Sequence, residues 1–566
     1  MADDYAKDVI RDWERGQADR GTWLSHCQQV ANYLQPNRND YIVERAPGQK
    51  RMQWIFDSTP VWGLEQFKAG LHSRLTSPTL PWLALHLDNE RVDKIQRARA
   101  WMDAATADLY NIFNSGAFNF AAQSQDIYGD LGAVGQGHMS IAQDGLDGVL
   151  FSTRHPKECV IFENDKDRVD QLSRRWQWTA KQAYGKWGEL AGEKVAKAIA
   201  DDKPAEKFWF HHRIKPRLKR DPQRGDAKHM PFESCYVSEA DVCTISESGF
   251  PEFPHLAPRF STVSGEVNGR GPGMFNLPDI KMLNELVKLV LKSAQKVVDP
   301  PLMLPDDGFL VPVKTMPGSM NYYRAGTKPT DRIAPIETNG QVQLGLDMLS
   351  ALRQQILKGF YIELMVTPTD PTDPASAGKG VTATFTIKMD NENMLMMSPL
   401  LSRLRGEFLD PLIARTFAIR WRQSVARKFG PGSPFPPPPP EIAGHPWHAE
   451  YVSPIALAQK SARFDTVKRL MQTQLELKQM DPNTQMVLDA EAIMRIEAED
   501  TNAPIAVLKT REQLQAEREA AAKMQQQQHE ADMAGQLAGA AQKGAGALQG
   551  VVGAGQQAQE MRQAAS

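Results

Sequence analysis

The chain has 566 residues, of which 41% are hydrophobic and 24% charged. That length is several times the usual domain size and predicts more than one domain, and the composition is typical of globular proteins. The stretch Met1–Asp8 is acidic and polar, unlike a secretory signal, and no apolar stretch is long enough to cross a bilayer. We therefore expect a multidomain protein without membrane spans.

The charge is nearly balanced, because 66 basic and 68 acidic side chains give a formal charge of −2. Proteins that grip nucleic acid usually carry a basic excess, so a DNA partner would not be held tightly by charge. The cysteines are Cys27, Cys159, Cys235 and Cys243, too widely spaced for a zinc-ligand pattern and too few for a disulfide framework. We expect reduced structural thiols.

Residues up to about 135 have helical patterns. One helix is predicted over Trp23–Leu34, and another from the capping sequence Asp57-Ser58-Thr59-Pro60 to about Leu75. A third is predicted from about Arg91 to Phe113. Its apolar positions fall on one side, which we expect to face the core: Ile95, Ala98, Trp101, Met102, Ala105, Leu109 and Phe113.

From Gly137 onward the sequence favours strands. Met139–Ala142 and Val149–Thr153 flank the turn-rich Asp144–Gly148 and predict a hairpin. Further strand candidates lie at 159–162, 208–210 and 234–237, with short helices around 179–187 and 192–200. This middle section is therefore expected to be a mixed or β-rich domain.

Two long helices come next. The first opens at Asn276–Asp279, repeats apolar residues every three or four positions, and ends before Pro300-Pro301. The second covers about Gln341–Met365, and at roughly 1.5 Å per residue each would span roughly 30 to 40 Å. Between them the chain is rich in proline and glycine, with short strand candidates. Two rods around a small insert predict a stalk with a head.

The segment Thr367–Gly380 is rich in proline, threonine and glycine, which predicts an exposed loop. The helical region that follows contains Pro399, so we expect a kink near Met397. The run Pro436–Pro440 marks a boundary. The last fifty or so residues are rich in Gln, Ala and Gly, a composition typical of disorder or of helices stable only against copies of themselves.

The sequence contains no motif that predicts catalysis or a cofactor. Gly269-Arg270-Gly271-Pro272-Gly273 precedes a helix, but its third glycine comes too early for a dinucleotide fingerprint. Gly378-Lys379-Gly380 is similar to part of a nucleotide-binding loop, but Asp373 stands where the first glycine must be. No acid/base pair or nucleophile elbow stands out. We expect a non-enzymatic protein.

Two further patterns favour structural interpretations. His211-His212 lies in an aromatic, strand-like segment without a nearby third metal ligand, so core or surface histidines are expected. Basic residues then alternate along an extended segment, where phosphate contact is one interpretation and a solvated strand face is favoured. These are Arg213, Lys215, Arg217, Lys219 and Arg220.

A series of short motifs resembles the head-to-tail connecting (portal) proteins of short-tailed double-stranded DNA phages. In chain order they are Asp57-Ser58-Thr59, Leu71–Leu75, Ser77–Trp82, Gly271–Gly273, Leu277–Asn284, Asp299–Pro301 and Val381–Thr384. The resemblance covers most of residues 1 to about 430. Phe385 departs from it, because such proteins are expected to have an acidic residue there.

The resemblance implies a mainly α fold with an α/β wing, in a subunit of a ring that usually has twelve copies. The implied parts are a wing over 1–275, helical first and then β-rich; stem helices over 277–298 and 341–366; a small α/β clip over 299–340; a tunnel loop over 367–380; a kinked wing helix over 381–430; a helical crown over 431–510; and a C-terminal tail over 511–566.

The resemblance also implies a function: a ring channel at one capsid vertex for genome packaging, tail attachment and DNA ejection. The implied partners are the major capsid protein, a scaffolding protein, the terminase large subunit, a tail adaptor protein and the double-stranded DNA, with assembly in the host cytoplasm and no membrane. Tunnel-loop candidates for DNA contact are Thr367, Thr369 and Lys379. Clip candidates for motor or tail contact are Lys314, Arg324, Lys328 and Arg332.

Two other functions stay open at this point. A nucleic-acid-processing enzyme would need a metal or nucleotide site, which the sequence does not reveal. Another virion structural protein, such as an internal core protein, would need no such site.

Overall fold

The computed structural model describes residues 3–299 except 39, 45, 47, 80, 146 and 147, and then residues 342–365 and 396–451. It also describes the backbone of 302–303 and 334–335 and isolated helical residues at 494 and between 513 and 533. The chain forms two compact units, residues 1–88 with 101–460, and residues 89–100 with 461–566. Within the described ranges, no helix has the length and apolar character that a membrane crossing needs.

Helices dominate the N-terminal part, as the sequence predicts. They are α1 (Asp4–Asp19), α2 (Gly21–Leu34), α3 (Thr59–Leu75), α4 (Glu90–Asp93), α5 (Gln96–Asn114) and α6 (Phe120–Val134). The predicted helix over 91–113 is divided between α4 and α5. Its predicted core side is correct from Ala98 to Phe113, but Ile95 lies between the two helices and is 39% exposed.

Two antiparallel sheets form the middle section. The predicted hairpin is β2 (Met139–Asp144) and β3 (Gly148–Thr153), which joins β9 (His255–Leu256) in the order β3-β2-β9. The larger sheet has the order β4-β5-β6-β7-β8. Its strands are β4 (Cys159–Glu163), β5 (Val169–Thr179), β6 (Lys207–Pro216), β7 (Phe232–Ser238) and β8 (Cys243–Phe250).

Helices cover both faces of the larger sheet. On one face α7 (Ala180–Trp187) and α8 (Glu193–Ala200) bury Trp176 and Phe210. On the other face α1 packs its Ala6 and Val9 against β7. An ion pair reinforces this contact, because the buried Arg213 on β6 donates to Asp12 Oδ2 of α1 at 2.8 Å. The sheet is therefore the centre of an α/β layer.

The first long helix begins and ends where the sequence predicts. A short α9 (Pro272–Phe275) leads into α10 (Leu277–Val298). The second, predicted as one helix over 341–366, is interrupted: α11 (Val342–Gly359) ends before Tyr361, whose φ is 59°, and α12 (Ile362–Met365) follows. The short strands β10 (Leu302–Met303) and β11 (Ala334–Pro335) pair with each other.

A further helix returns through the molecule. Residues 396–404 are helical, Arg405–Leu409 form a π turn, and α13 (Asp410–Ala426) follows. Pro411 explains the π turn, because it has no N–H to donate to the carbonyl of Glu407. The kink expected near Met397 stays a prediction, since residues 366–395 lie outside the described residues.

The last described strand, β12 (Trp447–Tyr451), pairs with β1 (Leu83–Leu87). Trp101 Nε1 donates to Pro436 O at 3.0 Å, so the polyproline run also lies against this part of the chain. The stretch 431–451 therefore contacts residues assigned to the wing. The remaining crown and tail assignments, 452–510 and 511–566, fall almost entirely outside the described residues.

Candidate functional site: the α10–α11 helix pair

The two long helices pack against each other in opposite directions. Gly345 near the start of α11 faces Val290 in the second half of α10, while Gln355 Nε2 donates to Asp279 Oδ2 near the start of α10 at 3.0 Å. The glycine is needed at this contact, because a Cβ there would lie 2.7 Å from Val290 Cγ2. The pair is therefore an antiparallel rod joined by residues 299–341.

Helix α3 anchors the base of this pair. Gly63 faces Phe360, and a Cβ on Gly70 would lie 2.6 Å from Met365 Sδ, so two glycines let the helices approach closely. Arg353 of α11 also donates to Asp57 Oδ2 through Nε and Nη2, at 3.0 and 2.8 Å. Burial opposes ionisation of Asp57, but hydrogen bonds from Thr59 and Arg353 outweigh it, so its pKa lies below the ordinary value.

A segment before α3 is fixed to α10 by one amide side chain. Asn284 Oδ1 accepts from Phe56 N–H at 2.8 Å, and Asn284 Nδ2 donates to Trp54 O at 2.9 Å. Asn284 is only 6% exposed, so both bonds are shielded from water. Residues 54–56, which we call the root segment, are thereby held against the first half of α10.

The outer faces of the pair carry apolar side chains that the described residues leave exposed. Toward the core, α10 buries Ile280, Leu283 and Val287. Away from the core, Leu289 is 59% exposed, and on α11 Leu344 is 56% exposed. Met282 and Met348 are also about half exposed. Apolar faces of this kind mark contacts with another protein surface.

The glycine motif before α10 has a packing role. A Cβ on Gly269 would lie 2.2 Å from Gly135 O, and a Cβ on Gly271 would lie 2.6 Å from both Gly135 N and Leu131 O. Gly135 itself has φ +81°. The spacing that partly resembled a phosphate loop therefore lets this segment cross the end of α6.

The two sequence histidines and the basic group also have structural partners. His211 Nε2 lies 2.9 Å from Glu239 Oε2, and His212 stacks on Tyr236 with ring centroids 4.0 Å apart. Arg213 is buried in its ion pairs, and Arg217 pairs with Glu247 at 3.2 Å. Lys219 and Arg220 are exposed beyond the strand. The group is thus not one continuous solvated face.

A buried cluster that the sequence did not reveal joins the two sheets. One potential ligand atom from each of His138, Cys159 and His255 lies within 4.8 Å of the other two. The three residues are separated by more than twenty positions along the chain and show no metal-ligand spacing, so no sequence pattern could predict that they lie together. Their proximity appears only after the sheets have folded.

Hydrogen bonds connect the two histidines of this cluster to each other and to neighbouring polar groups. Gly269 N–H donates to Gln136 Oε1 at 3.0 Å, which turns the amide Nε2 toward His138 Nε2 at 2.8 Å. His138 then carries its proton on Nδ1, which donates to His255 Nε2 at 3.0 Å, and His255 Nδ1 donates to Ser140 Oγ at 3.2 Å. Burial lowers the pKa of both imidazoles well below the ordinary value, which favours these neutral tautomers.

Comparison with known proteins identifies the family of this chain. A family model described as bacteriophage head to tail connecting protein matches residues 6–508. The chain belongs to this family. It is 29% identical over 475 residues, 82% of this chain and 81% of the relative, to a probable portal protein of Bordetella phage BPP-1. It is 25% identical over 542 residues, 93% of each chain, to the portal protein of Salmonella phage epsilon15.

Membership of the head-to-tail connecting family confirms the resemblance inferred from the sequence. The tunnel-loop candidates Thr367, Thr369 and Lys379 lie outside the described residues. So do the clip candidates, Lys314, Arg324, Lys328 and Arg332. Their positions relative to a channel therefore stay predictions, while the helix pair that connects to both segments is described.

Proposed function

We propose that this chain is the subunit of a phage portal, a ring through which double-stranded DNA enters the capsid and later leaves it. The observation that carries the proposal is the family match over residues 6–508, reinforced by two relatives named as portal proteins. The α10–α11 pair supports it physically. A long rod, anchored at its base and apolar on its outer faces, is suited to pack against equivalent rods around a ring.

In this proposal the α10–α11 pair is the stem, residues 299–340 are the clip and residues 367–380 are the tunnel loop. The ring, commonly of twelve copies, sits at one capsid vertex. The major capsid protein and a scaffolding protein contact its outside, the terminase large subunit and a tail adaptor contact the clip, and assembly occurs in the host cytoplasm. Lys314, Arg324, Lys328 and Arg332 are the proposed clip contacts.

The proposed mechanism is mechanical and electrostatic rather than chemical. A channel that passes DNA must let phosphates slide, and each strong phosphate contact adds affinity through counterion release. The near balance of 66 basic and 68 acidic side chains suits that requirement. We expect the purified protein to show neither ATP hydrolysis nor nuclease activity. Turnover that a substitution in this chain abolishes would favour a nucleic-acid-processing enzyme instead.

Electron microscopy of the purified protein tests the proposal. We expect rings with an axial hole, and a stable monomer at micromolar concentration would contradict the proposal. Leu289→Glu places a charge on the exposed apolar face of α10 and should weaken ring assembly while leaving the far-ultraviolet circular dichroism unchanged. The matched control is Lys296→Ala, an exposed charge on the same helix, which should assemble normally because single exposed charges contribute little.

A further inference from the structure

One edge of the larger sheet is left open. Strand β5 runs over Val169–Thr179, but its neighbour β4 pairs with it only as far as Arg174, opposite Cys159. Before Cys159 the chain turns away in a short 3₁₀ helix, Pro156–Glu158. Residues 175–179 therefore pair with β6 on one side and have no strand on the other among the described residues.

The hydrogen bonds show which backbone groups point to the open side. Hydrogen-bonded and non-hydrogen-bonded pairs alternate in an antiparallel ladder. Ala180 N–H donates to Glu206 O at 2.8 Å, and this pair comes directly after the Thr179–Lys207 pair. Counting back along β5 from Ala180, every second residue therefore directs its N–H and C=O groups toward β6. Arg175, Gln177 and Thr179 consequently direct their N–H and C=O groups outward. Arg175 N–H is taken by Glu158 O, because the Cys159–Arg174 ladder pair requires that bond, and Thr179 N–H is taken by Gln182 Oε1 at 3.0 Å. The N–H and C=O groups of Gln177 pair with no strand in the described part of the chain.

A groove of about 380 Å³ follows this open edge. The segment Tyr41–Glu44 forms one wall, where Ile42 and Val43 are 57% and 50% exposed. The rest of the lining combines polar and charged side chains with four indole rings, those of Trp13, Trp176, Trp178 and Trp209. Arg175 stiffens it, because its guanidinium lies 3.8 Å from the Trp209 ring centroid and pairs with Glu239 at 2.7 Å.

Two features of the lining indicate a polypeptide ligand. The indole N–H groups of Trp13 and Trp176 are buried with no hydrogen-bond partner in the described part of the chain, although buried donors are usually paired. Lys157 and Lys207 also line the groove and form no ion pair in the described ranges. An extended chain offers the carbonyls, amides and apolar side chains that such an edge can bind.

We propose that an extended segment of a neighbouring copy of this chain adds as a strand to the open edge of β5. The inference rests on the proposed ring, because a ring places a copy on each side of every subunit and gives a tethered segment a high local concentration. The exposed Ile42 and Val43 beside the edge fit a permanent contact, whose buried part is usually apolar. The added strand would bond to the N–H and C=O groups of Gln177 and to the C=O group of Arg175.

Amide hydrogen exchange on purified rings, read at single residues by mass spectrometry, tests this. The amides of Trp176 and Trp178 face β6 and serve as internal controls that are protected within one subunit. If the neighbour pairs with β5, the amide of Gln177 should also exchange at least about 100-fold more slowly than unprotected amides. Rings in which the Gln177 amide exchanges freely, while Trp176 and Trp178 remain protected, would overturn the inference and leave the proposed portal function intact.

A proline variant gives a second measurement. Gln177→Pro removes an N–H that the β5–β6 ladder does not use, so the subunit should fold, but strand addition is blocked. Its rings should dissociate at a lower urea concentration than wild type, whereas rings of the control Gln177→Thr, which keeps the N–H, should not. Equal ring stability in both variants would contradict the inference. Protection of Gln177 that appears only in whole virions would identify another protein as the occupant and would also overturn the inference.

Discussion

At Gly271 the absence of a side chain determines whether two segments can cross. A Cβ at this position would meet Gly135 N and Leu131 O, each at 2.6 Å, and backbone atoms cannot rotate aside as a side chain does. We therefore expect Gly271→Ala to destabilise the subunit by about 3 kcal/mol, the upper range for overpacking. Thermal unfolding followed by circular dichroism would show this as a lower midpoint.

The control for that substitution is Gly21→Ala. Gly21 opens α2, and a Cβ there would meet no atom within 4 Å. Alanine is also the better helix former, so the midpoint should stay the same or rise slightly. A Gly271→Ala protein as stable as the Gly21→Ala protein would mean that the crossing has room to adjust.

The buried carboxyl of Asp130 should make stability depend on pH. Burial raises its pKa from 3.8 to about 7, although Arg38 Nη2, which donates to Oδ2 at 2.6 Å, opposes the rise. The folded state therefore holds a proton that the unfolded state has already lost, and stability falls as pH rises from about 4 to about 7. Asp130→Asn should remove this contribution, so the unfolding midpoint of the variant should rise relative to that of wild type as the pH increases from about 4 to about 7.

Asp126→Asn is the matched control for the pH prediction. Asp126 lies 3.6 Å from the same guanidinium, but its side chain is 47% exposed. Its removal should lower stability slightly and keep the wild-type pH slope. If the stability of Asp130→Asn depends on pH as steeply as that of wild type, groups other than Asp130 cause the pH dependence.

Single residues also show what sequence patterns can and cannot predict. The sequence predicted that His211 and His212 are structural, and both have structural partners in the larger sheet. It could not predict the cluster of His138, Cys159 and His255, because those residues come together only when two sheets pack. It also placed Arg213 on an exposed strand face, whereas acidic groups on α1 and β7 make its burial tolerable.

At the scale of elements, Asn284 should control the order of the root segment. Asn284→Leu keeps a similar volume but removes the hydrogen bonds to Trp54 O and Phe56 N–H, which leaves two backbone groups without partners. We expect residues 52–58 to exchange amide hydrogens and to be cleaved by protease much faster than in wild type, with a cost of about 1 to 3 kcal/mol.

Gln29→Ala provides the comparison for Asn284→Leu. Gln29 of α2 accepts a hydrogen bond at 2.8 Å from Lys281 Nζ of α10, the helix that also carries Asn284, but this bond is exposed to water. Its loss should leave exchange and cleavage at 52–58 unchanged. Unchanged exchange in Asn284→Leu as well would show that packing, not the amide, holds the root segment.

Elements with strong periodicity were predictable, and those that depend on distant partners were not. The apolar repeat gave α10 over Leu277–Val298, and the turn between two alternating runs gave the β2–β3 hairpin. Strand β1 was missed, because only its pairing with β12, more than 350 residues away, makes it a strand. The break at Tyr361 comes two residues after Gly359, but a single glycine inside a helical pattern does not by itself mark the end of a helix.

At the scale of the whole molecule, periodicity predicts apolar faces but not what covers them. In the sequence, the apolar residues on the outer faces of α10 and α11 have the same spacing as apolar residues that are buried in a core. Only the folded chain shows that the side chains on these outer faces are exposed. The ring came from family resemblance, and neither composition nor charge implied it. Contacts between copies depend on the shapes of two surfaces, which a one-dimensional pattern does not contain.

The last prediction concerns the segment Thr367–Gly380, which follows α12. Its prolines and glycines disfavour regular pairing, which predicts an exposed loop. We expect it to project toward the channel axis and contact DNA, with Thr367, Thr369 and Lys379 as the proposed contacts. Deleting Pro371–Ala377 should leave rings intact by electron microscopy, because the deleted stretch contains no large apolar side chain to pack in a core.

The same deletion should impair genome packaging or retention, measured as DNA content of phage particles assembled with the deleted subunit. Lys379→Ala is the milder comparison, since a single exposed charge contributes little and is screened by salt. Normal DNA content in the deletion phage would refute the assigned role. Failure to form rings would instead make the segment a structural part of the subunit contact, because a loop that only meets DNA is not needed to close a ring.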